Sequence, residues 1–283
     1  MLENTPSHTA KRVALRRAAH QVLDSPRVFD DPLALRIVGA PSAGEAAFRQ
    51  DQREQTRFAR SMRAFMAVRS RVAEDELARA VARGVTQYVV LGAGLDTFAY
   101  RSPFGDRLRI FEVDYPATQA WKRDQLREGG IPEPDWLQYV PVDFEHQTAI
   151  DALTRAGMQR DQPALFAWLG VTMYLEETTV WSVLKAIASF PPGGGVIFDY
   201  AVIPEALSPQ TQLVFNELSR RVARGGEPWV TFFDPRVLGA MLRATGFASL
   251  NDMGSEALNQ AYFNGRDDGL RVGGLAHVVT ALV

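Results

Sequence analysis

Short apolar runs alternate with helical segments from residue 87 onward, and this alternation constrains the fold more than any other feature. Six runs have the length and the β-branched and aromatic content of buried strands: 87–91, 108–113, 137–142, 164–169, 196–200 and 276–282. Helical segments separate most of them, at 117–128, 148–156, 178–189 and 235–245. Strands that alternate with helices form βαβ units, so the sequence predicts an α/β fold around a mainly parallel sheet.

The segments that flank and interrupt this pattern are helical or rich in turns. Residues 9–23 suit one helix, and residues 44–83 suit one long helix or two in series. Residues 201–234 carry three prolines and a helical piece, and we expect them to form a lid over the strand ends. We therefore divide a single expected domain, 1–283, into a helical cap (9–83), a ligand-binding core (84–200), the lid (201–234) and the C-terminal end of the sheet (235–283).

Composition excludes several classes of function. The 31 basic and 33 acidic residues give no surplus of positive charge for nucleic-acid binding. Without cysteine the chain has no disulfide framework and no thiolate nucleophile, and it also lacks an HExxH sequence, so we predict no metal site. The N-terminus lacks the apolar core of a signal peptide, and no run of 18 apolar residues could span a membrane. We expect a cytoplasmic protein.

A glycine-rich turn follows the first predicted strand. In VVLGAGLDT, Gly92 and Gly94 flank Ala93 and would let a ligand approach the backbone closely. The alternative is an ordinary turn between a strand and a helix that binds no ligand. A dinucleotide site needs a third glycine where this chain has Thr97. The carboxylate of Asp96 would repel a phosphate, so the turn favours a cationic adenosine cofactor over a nucleotide.

Acidic residues end the second and third predicted strands. Asp114 lies 20 residues after Gly94, where a carboxylate can accept hydrogen bonds from a ribose diol, and Tyr115 follows it. Asp143 could accept from an adenine amino group, and the ring of Phe144 could pack against the base. The alternative for both acids is that they cap the helices that follow them.

Several motifs together resemble the leucine carboxyl methyltransferase-like family of class I S-adenosylmethionine (SAM)-dependent methyltransferases, in its bacterial branch. They are VVLGAGLDTFAYR, FEVDYP, VDFE and LGVTMYL, together with RAAHQVLDSPRVFDDPLA, GEPWVTFFDP and GRDDGLRVGG. The resemblance spans about residues 9–283. It implies a Rossmann-like sheet of seven strands with the last one antiparallel, SAM as the cofactor and S-adenosylhomocysteine (SAH) as the product.

The resemblance also implies roles for individual residues. It places SAM contacts at Gly92, Asp114, Asp143 and Phe144. An arginine of the preceding helix should pair with the methionine carboxylate; Arg69 is the better match and Arg71 the second, whereas a solvated surface charge is the alternative. Members that methylate a protein C-terminus carry a glutamate at the position of Leu169, so this cofactor contact is altered here. The difference also weakens the inference that this chain acts on the same protein substrate.

The methyl acceptor is expected to present an oxygen. A carboxylate is ionised at neutral pH and needs no base, whereas a phenol with a pKa of about 10 would benefit from one. None of the four histidines stands out as that base. Tyr174 is the candidate catalytic residue at the acceptor, although it could be a packing aromatic; Tyr262 and Arg266 are further candidates. We expect an O-methyltransferase that acts on a small-molecule carboxylate or hydroxyl; the alternatives are a protein C-terminal carboxyl methyltransferase and a non-catalytic SAM-binding protein.

Overall fold

Seven strands form one central sheet in the computed structural model, which describes residues 8–39, 42–143, 148–224 and 226–283. The order across the sheet is β3-β2-β1-β4-β5-β7-β6, and β7 runs antiparallel to both of its neighbours while the other pairs are parallel. The predicted mainly parallel sheet with an antiparallel last strand is confirmed. The strands are β1 (Gln87–Leu91), β2 (Arg109–Asp114), β3 (Leu137–Pro141), β4 (Ala164–Trp168), β5 (Gly195–Ala201), β6 (Ser249–Met253) and β7 (Ala276–Leu282).

Helices surround the sheet, and none of those in the described ranges is long and apolar enough to cross a membrane. The segment 44–83 contains two helices, of which the second begins where the Thr56 hydroxyl accepts a hydrogen bond from the Ala59 N–H. The helices are α1 (His8–Leu23), α2 (Ala34–Ile37), α3 (Ser42–Gln50), α4 (Arg57–Ala82), α5 (Pro116–Glu128), α6 (Ala149–Arg155), α7 (Glu177–Ala188), α8 (Pro209–Arg224), α9 (Pro235–Thr245) and α10 (Ser255–Tyr262).

One strand was not predicted from the apolar runs. The β6 strand pairs only with β7 and forms an edge of the sheet. Its sequence, SLNDM, has no apolar run because most of its residues are exposed or half-buried. The pattern that identifies a buried strand is therefore missing from an edge strand of this kind.

Both faces of the sheet are covered. Alternate residues of β1 point to opposite sides, so that Val89 and Leu91 join one apolar cluster while Tyr88 and Val90 join the other. The α7 helix packs on the first face and the α4 helix on the second. Burial on both faces explains why the central strands read as continuous apolar runs.

A buried ion pair joins the end of the α1 helix to α4. The Arg63 guanidinium donates from Nε and Nη2 to the two carboxylate oxygens of Asp24, both at 2.8 Å. His20 Nδ1 lies 2.8 Å from the same carboxylate, while its Nε2 accepts from the backbone N–H of Val28 at 3.1 Å. Burial opposes ionisation of Asp24, but the contacts with Arg63 and His20 outweigh it and hold the pKa of Asp24 below its usual value.

Replacing Asp24 with Asn should strongly destabilise the fold. The change leaves the Arg63 charge buried without its partner, which costs about 3–5 kcal/mol of unfolding free energy. Because the pKa of Asp24 is lowered on folding, its contribution should be present above a pH of about 4 and lost as the pH falls below it. Urea unfolding at several pH values measures both effects.

Asp30→Asn is the matched control, because Asp30 pairs with Arg27 at an exposed position where both side chains contact solvent. This variant should unfold close to the native midpoint. Equal losses of unfolding free energy in the two variants would show that the buried pair does not hold the two helices together.

Candidate active site

The chain leaves β1 through a tight turn that needs glycine. Gly92 and Gly94 have φ values of +68° and +47°, and the Gly92 N–H donates to the Val113 carbonyl oxygen at 2.8 Å. A Cβ on Gly92 would overlap the Val171 side chain, and one on Gly94 would lie 3.1 Å from Ala10 Cβ of the α1 helix. The turn is therefore enclosed on two sides, and its backbone lies at the carboxyl end of the sheet.

Asp114 is held beside this turn and does not cap a helix. One carboxylate oxygen accepts the Gly94 N–H at 2.5 Å, and the other accepts the Tyr115 N–H at 2.7 Å. The N-cap position of α5 belongs to Tyr115, so capping by Asp114 is wrong as an alternative. Burial raises the pKa of Asp114 despite these two hydrogen bonds. A carboxylate can accept about four hydrogen bonds, so capacity remains for a ligand.

A cavity of about 360 Å³ opens over the turn, between the α1 and α4 helices and the carboxyl ends of the central strands. Its volume lies within the range of small-molecule sites. Of the predicted cofactor-binding residues, Phe144 lies outside the described residues. That the remaining predicted residues bind the cofactor stays a prediction. The cavity brings together the remaining predicted site residues, namely Arg69, Gly92, Ala93, Gly94, Asp96, Asp114, Tyr115, Asp143, Leu169 and Tyr174.

The charges that line this first cavity are mostly negative. Such a lining favours a cationic ligand over a phosphate, because the potential of the acids sums inside a partly desolvated cleft. Sequence analysis had missed Arg17, Glu74 and Glu227 in this set. Within the described ranges the charged lining residues are Arg17, Arg69, Glu74, Asp96, Asp114, Asp143 and Glu227.

Arg17 of the α1 helix is buried beside the glycine turn. Its Nη2 donates to the Leu95 carbonyl oxygen at 2.6 Å, and its Nη1 lies 3.5 Å from the Asp96 carboxylate. Burial opposes ionisation of Asp96, but Arg17 and other nearby cations hold its pKa below the usual value. The helical spacing of Ala10, Ala14 and Arg17 was the one sequence signal that could have placed this arginine on the cavity side.

Arg69 is buried and paired, so its interpretation as a solvated surface charge is wrong. Its Nη1 donates to Asp199 at 2.9 Å, and the other carboxylate oxygen of Asp199 accepts the Gly170 N–H at 2.5 Å. Sequence analysis did not identify Asp199. The second candidate, Arg71, is half-exposed and binds Asp75 at 2.8 Å. It lines neither this cavity nor the smaller cavity described below. Pairing of Arg69 with a methionine carboxylate stays a prediction.

A second, smaller cavity of about 130 Å³ adjoins the first. The two share lining residues at their junction: Thr9, Val13, Arg69, Gly170 and Tyr174. The walls of the second cavity are mainly apolar and come from the α4 helix, from α8 in the predicted lid and from the segment that follows α8; they include Met62, Phe65, Met66, Leu218, Val222 and Trp229.

Tyr174 lies at the junction, at the end of the short helical turn that follows β4. Burial raises the pKa of its hydroxyl, and the nearby Glu227 carboxylate raises it further. A raised pKa keeps the hydroxyl protonated at neutral pH, where it can donate a hydrogen bond.

The other acceptor candidates lie elsewhere. Tyr262 contacts Asp75, Arg266 contacts Asp268, and neither lines either cavity. His20 and His277 are likewise absent from both linings, while His146 lies outside the described residues.

Solved structures share the fold of this chain. A "putative methyltransferase" from Thermobifida fusca superposes with a TM-score of 0.58 at 17% identity, and the match covers 99% of this chain and 96% of that one. A DUF574 family protein from Streptomyces avermitilis gives a TM-score of 0.53 at 16% identity, with 94% and 99% covered.

Sequence relatives extend the comparison. A Bacillus subtilis protein, "Putative S-adenosyl-L-methionine-dependent methyltransferase YktD", is 27% identical over 303 residues, which cover 100% of this chain and 99% of the relative. A Saccharopolyspora erythraea protein of the same description is 32% identical over 67% of this chain and 65% of its own length. The model of the leucine carboxyl methyltransferase family matches residues 10–188, well over half of the chain. The chain therefore belongs to the leucine carboxyl methyltransferase family.

Proposed function

We propose that this protein is a SAM-dependent methyltransferase that methylates an oxygen of a small-molecule acceptor. The observation that carries the proposal is the first cavity, which combines a glycine turn, a buried aspartate beside it and an excess of acids. Family membership supports SAM as the cofactor. When bound, SAM supplies an activated methyl group on a cationic sulfur.

The residues of the first cavity fit this cofactor in charge and in hydrogen-bonding capacity. The backbone of Gly92 and Gly94 lines the cavity, and Asp114 beside this turn offers free acceptor capacity to a ribose diol. Asp143 lines the same cavity, which supports its expected role as an acceptor for an adenine amino group. The acidic lining favours the sulfonium and ammonium charges and disfavours a dinucleotide with its pyrophosphate.

The nature of the junction supports an acceptor that reacts without a base. Tyr174 keeps its proton, and the histidines with described side chains, His20 and His277, do not reach the cavities. The residues around the junction therefore align the reactants and exclude water, which is the main requirement for methyl transfer. An ionised carboxylate meets this requirement without a base, whereas a hydroxyl with a high pKa would need one.

Calorimetric titration with SAM, SAH and NAD tests the proposal first. Micromolar binding of both SAM and SAH, with none of NAD, is expected because the cavity is acidic and lacks a pyrophosphate site. A screen with radiolabelled SAM against small acids, small phenols and peptides with free C-termini then identifies the acceptor class. Failure of ligand-free protein to bind SAM would refute the proposal, and transfer only to peptides would favour a protein C-terminal carboxyl methyltransferase.

Asp114→Ala should weaken SAH binding by about 2 kcal/mol, roughly 30-fold, because a buried hydrogen-bonded diol would lose its partner. Calorimetry gives the affinity, and a thermal melt verifies that the variant is folded. Asp106→Ala is the control, because Asp106 is exposed and lines neither cavity. Native affinity in folded Asp114→Ala protein would remove Asp114 from the cofactor site.

Tyr174→Phe should lower kcat/KM only moderately, by about 2- to 13-fold, which corresponds to one lost hydrogen bond of roughly 0.5–1.5 kcal/mol. Because the pKa of Tyr174 is raised, the hydroxyl is protonated throughout the neutral range, and its loss should leave the shape of the pH–rate profile unchanged between about pH 6 and 9. Disappearance of a titration from that profile would instead identify Tyr174 as a base.

A further inference from the structure

The two adjoining cavities differ in their charge. The first is lined by more carboxylates than guanidinium groups, whereas the charged lining of the second, within the described ranges, consists of Arg12, Arg16, Arg69 and Asp199. We propose that the second cavity is the acceptor site and that it takes a compact apolar molecule bearing an acid group. This inference rests on the proposed function, which places the cofactor in the first cavity.

The walls of the second cavity select an apolar body. Phe65, Met66, Leu218 and Val222 are each less than a tenth exposed and come from two helices that face each other across the space. The apolar part of a ligand is stabilised between these side chains because its surface is removed from water. The volume of about 130 Å³, roughly a third of that of the first cavity, favours a small acceptor.

The arginines of the second cavity are not equally available to a ligand. The charge of Arg69 is balanced by Asp199 at 2.9 Å, and that of Arg16 by Glu54 at 2.8 Å. In the part of the chain that the structure describes, Arg12 forms no ion pair or hydrogen bond, and it is exposed while it lines the second cavity. Arg12 therefore supplies the uncompensated positive charge that attracts an acid.

The junction offers hydrogen-bond donors to an oxygen of the acceptor. The indole N–H of Trp229 is buried and has no hydrogen bond of normal geometry in the described structure, although it lies close enough to the Tyr174 hydroxyl to lower the pKa of that group. An acceptor oxygen placed between the two cavities would satisfy this donor and receive a second bond from Tyr174. One continuous space thus accommodates the apolar body in the second cavity and the reactive oxygen of the acid group at the junction.

The test is calorimetry in the presence of saturating SAH, with straight-chain carboxylic acids of four to ten carbons and the corresponding primary alcohols as probes. We expect at least one acid to bind about two- to fivefold more tightly than its alcohol, the range for an exposed ion pair. Arg12→Glu should abolish this preference. Lys11→Glu, the same charge change at an exposed neighbour that lines neither cavity, should keep it.

Leu218→Trp provides a second variant that does not depend on charge. The larger side chain should fill the second cavity and eliminate binding of acid and alcohol alike, while SAH affinity stays native because Leu218 does not line the first cavity. Absence of any acid preference, equal effects of Arg12→Glu and Lys11→Glu, or unchanged acid binding in Leu218→Trp would overturn the inference. Loss of SAH binding by the native protein would instead refute the proposed function, so the two failures are distinguishable.

Discussion

Buried arginines fix the N-terminal helices against the sheet, and both cavities depend on them. Arg63 joins the α4 helix to Asp24 after α1, Arg17 joins α1 to the glycine turn, and Arg69 joins α4 to Asp199 of β5. Each of these arginines is about 5% exposed or less. A charge buried to this degree is tolerated only with its partner in place, so each contact permits essentially one placement of its helix. The helical cap therefore both covers the core and contributes lining residues to the two cavities.

The difference in charge between the cavities suits the proposed reaction. An acidic first cavity attracts a cationic methyl donor, and a positively charged second cavity attracts an anionic acceptor, so each ligand is directed to its own side. Transfer of the methyl group from a cationic sulfonium to an anionic oxygen neutralises both the sulfur and the oxygen. A junction shielded from water would favour such a loss of charge, and Tyr174 would stay neutral there because its pKa is raised.

Local patterns in the sequence predicted the central sheet and brought together the residues that line the first cavity, whereas they did not predict the pairing between distant segments. The β1 and β7 bounds are the predicted ones, and the residues chosen around the glycine turn meet in one cavity, because the ends of parallel strands converge by topology. Arg69 and Asp199 lie 130 positions apart, and no periodicity connects them. The β6 strand was missed because an exposed edge leaves no apolar run, and the second cavity was missed because α8 and α4 meet only in the folded chain.

The α1 helix contributes residues to both cavities. Ala10, Ala14 and Arg17 line only the first cavity, Arg12 and Arg16 line only the second, and Thr9 and Val13 lie between them. This order follows from the helical period, since residues three or four apart share a face. The family match covers α1 but ends at residue 188, before Leu218, Val222 and Trp229. The outer wall of the second cavity thus comes from the part of the chain beyond the family match, which is where differences in acceptor specificity between members of one cofactor-binding family would be accommodated.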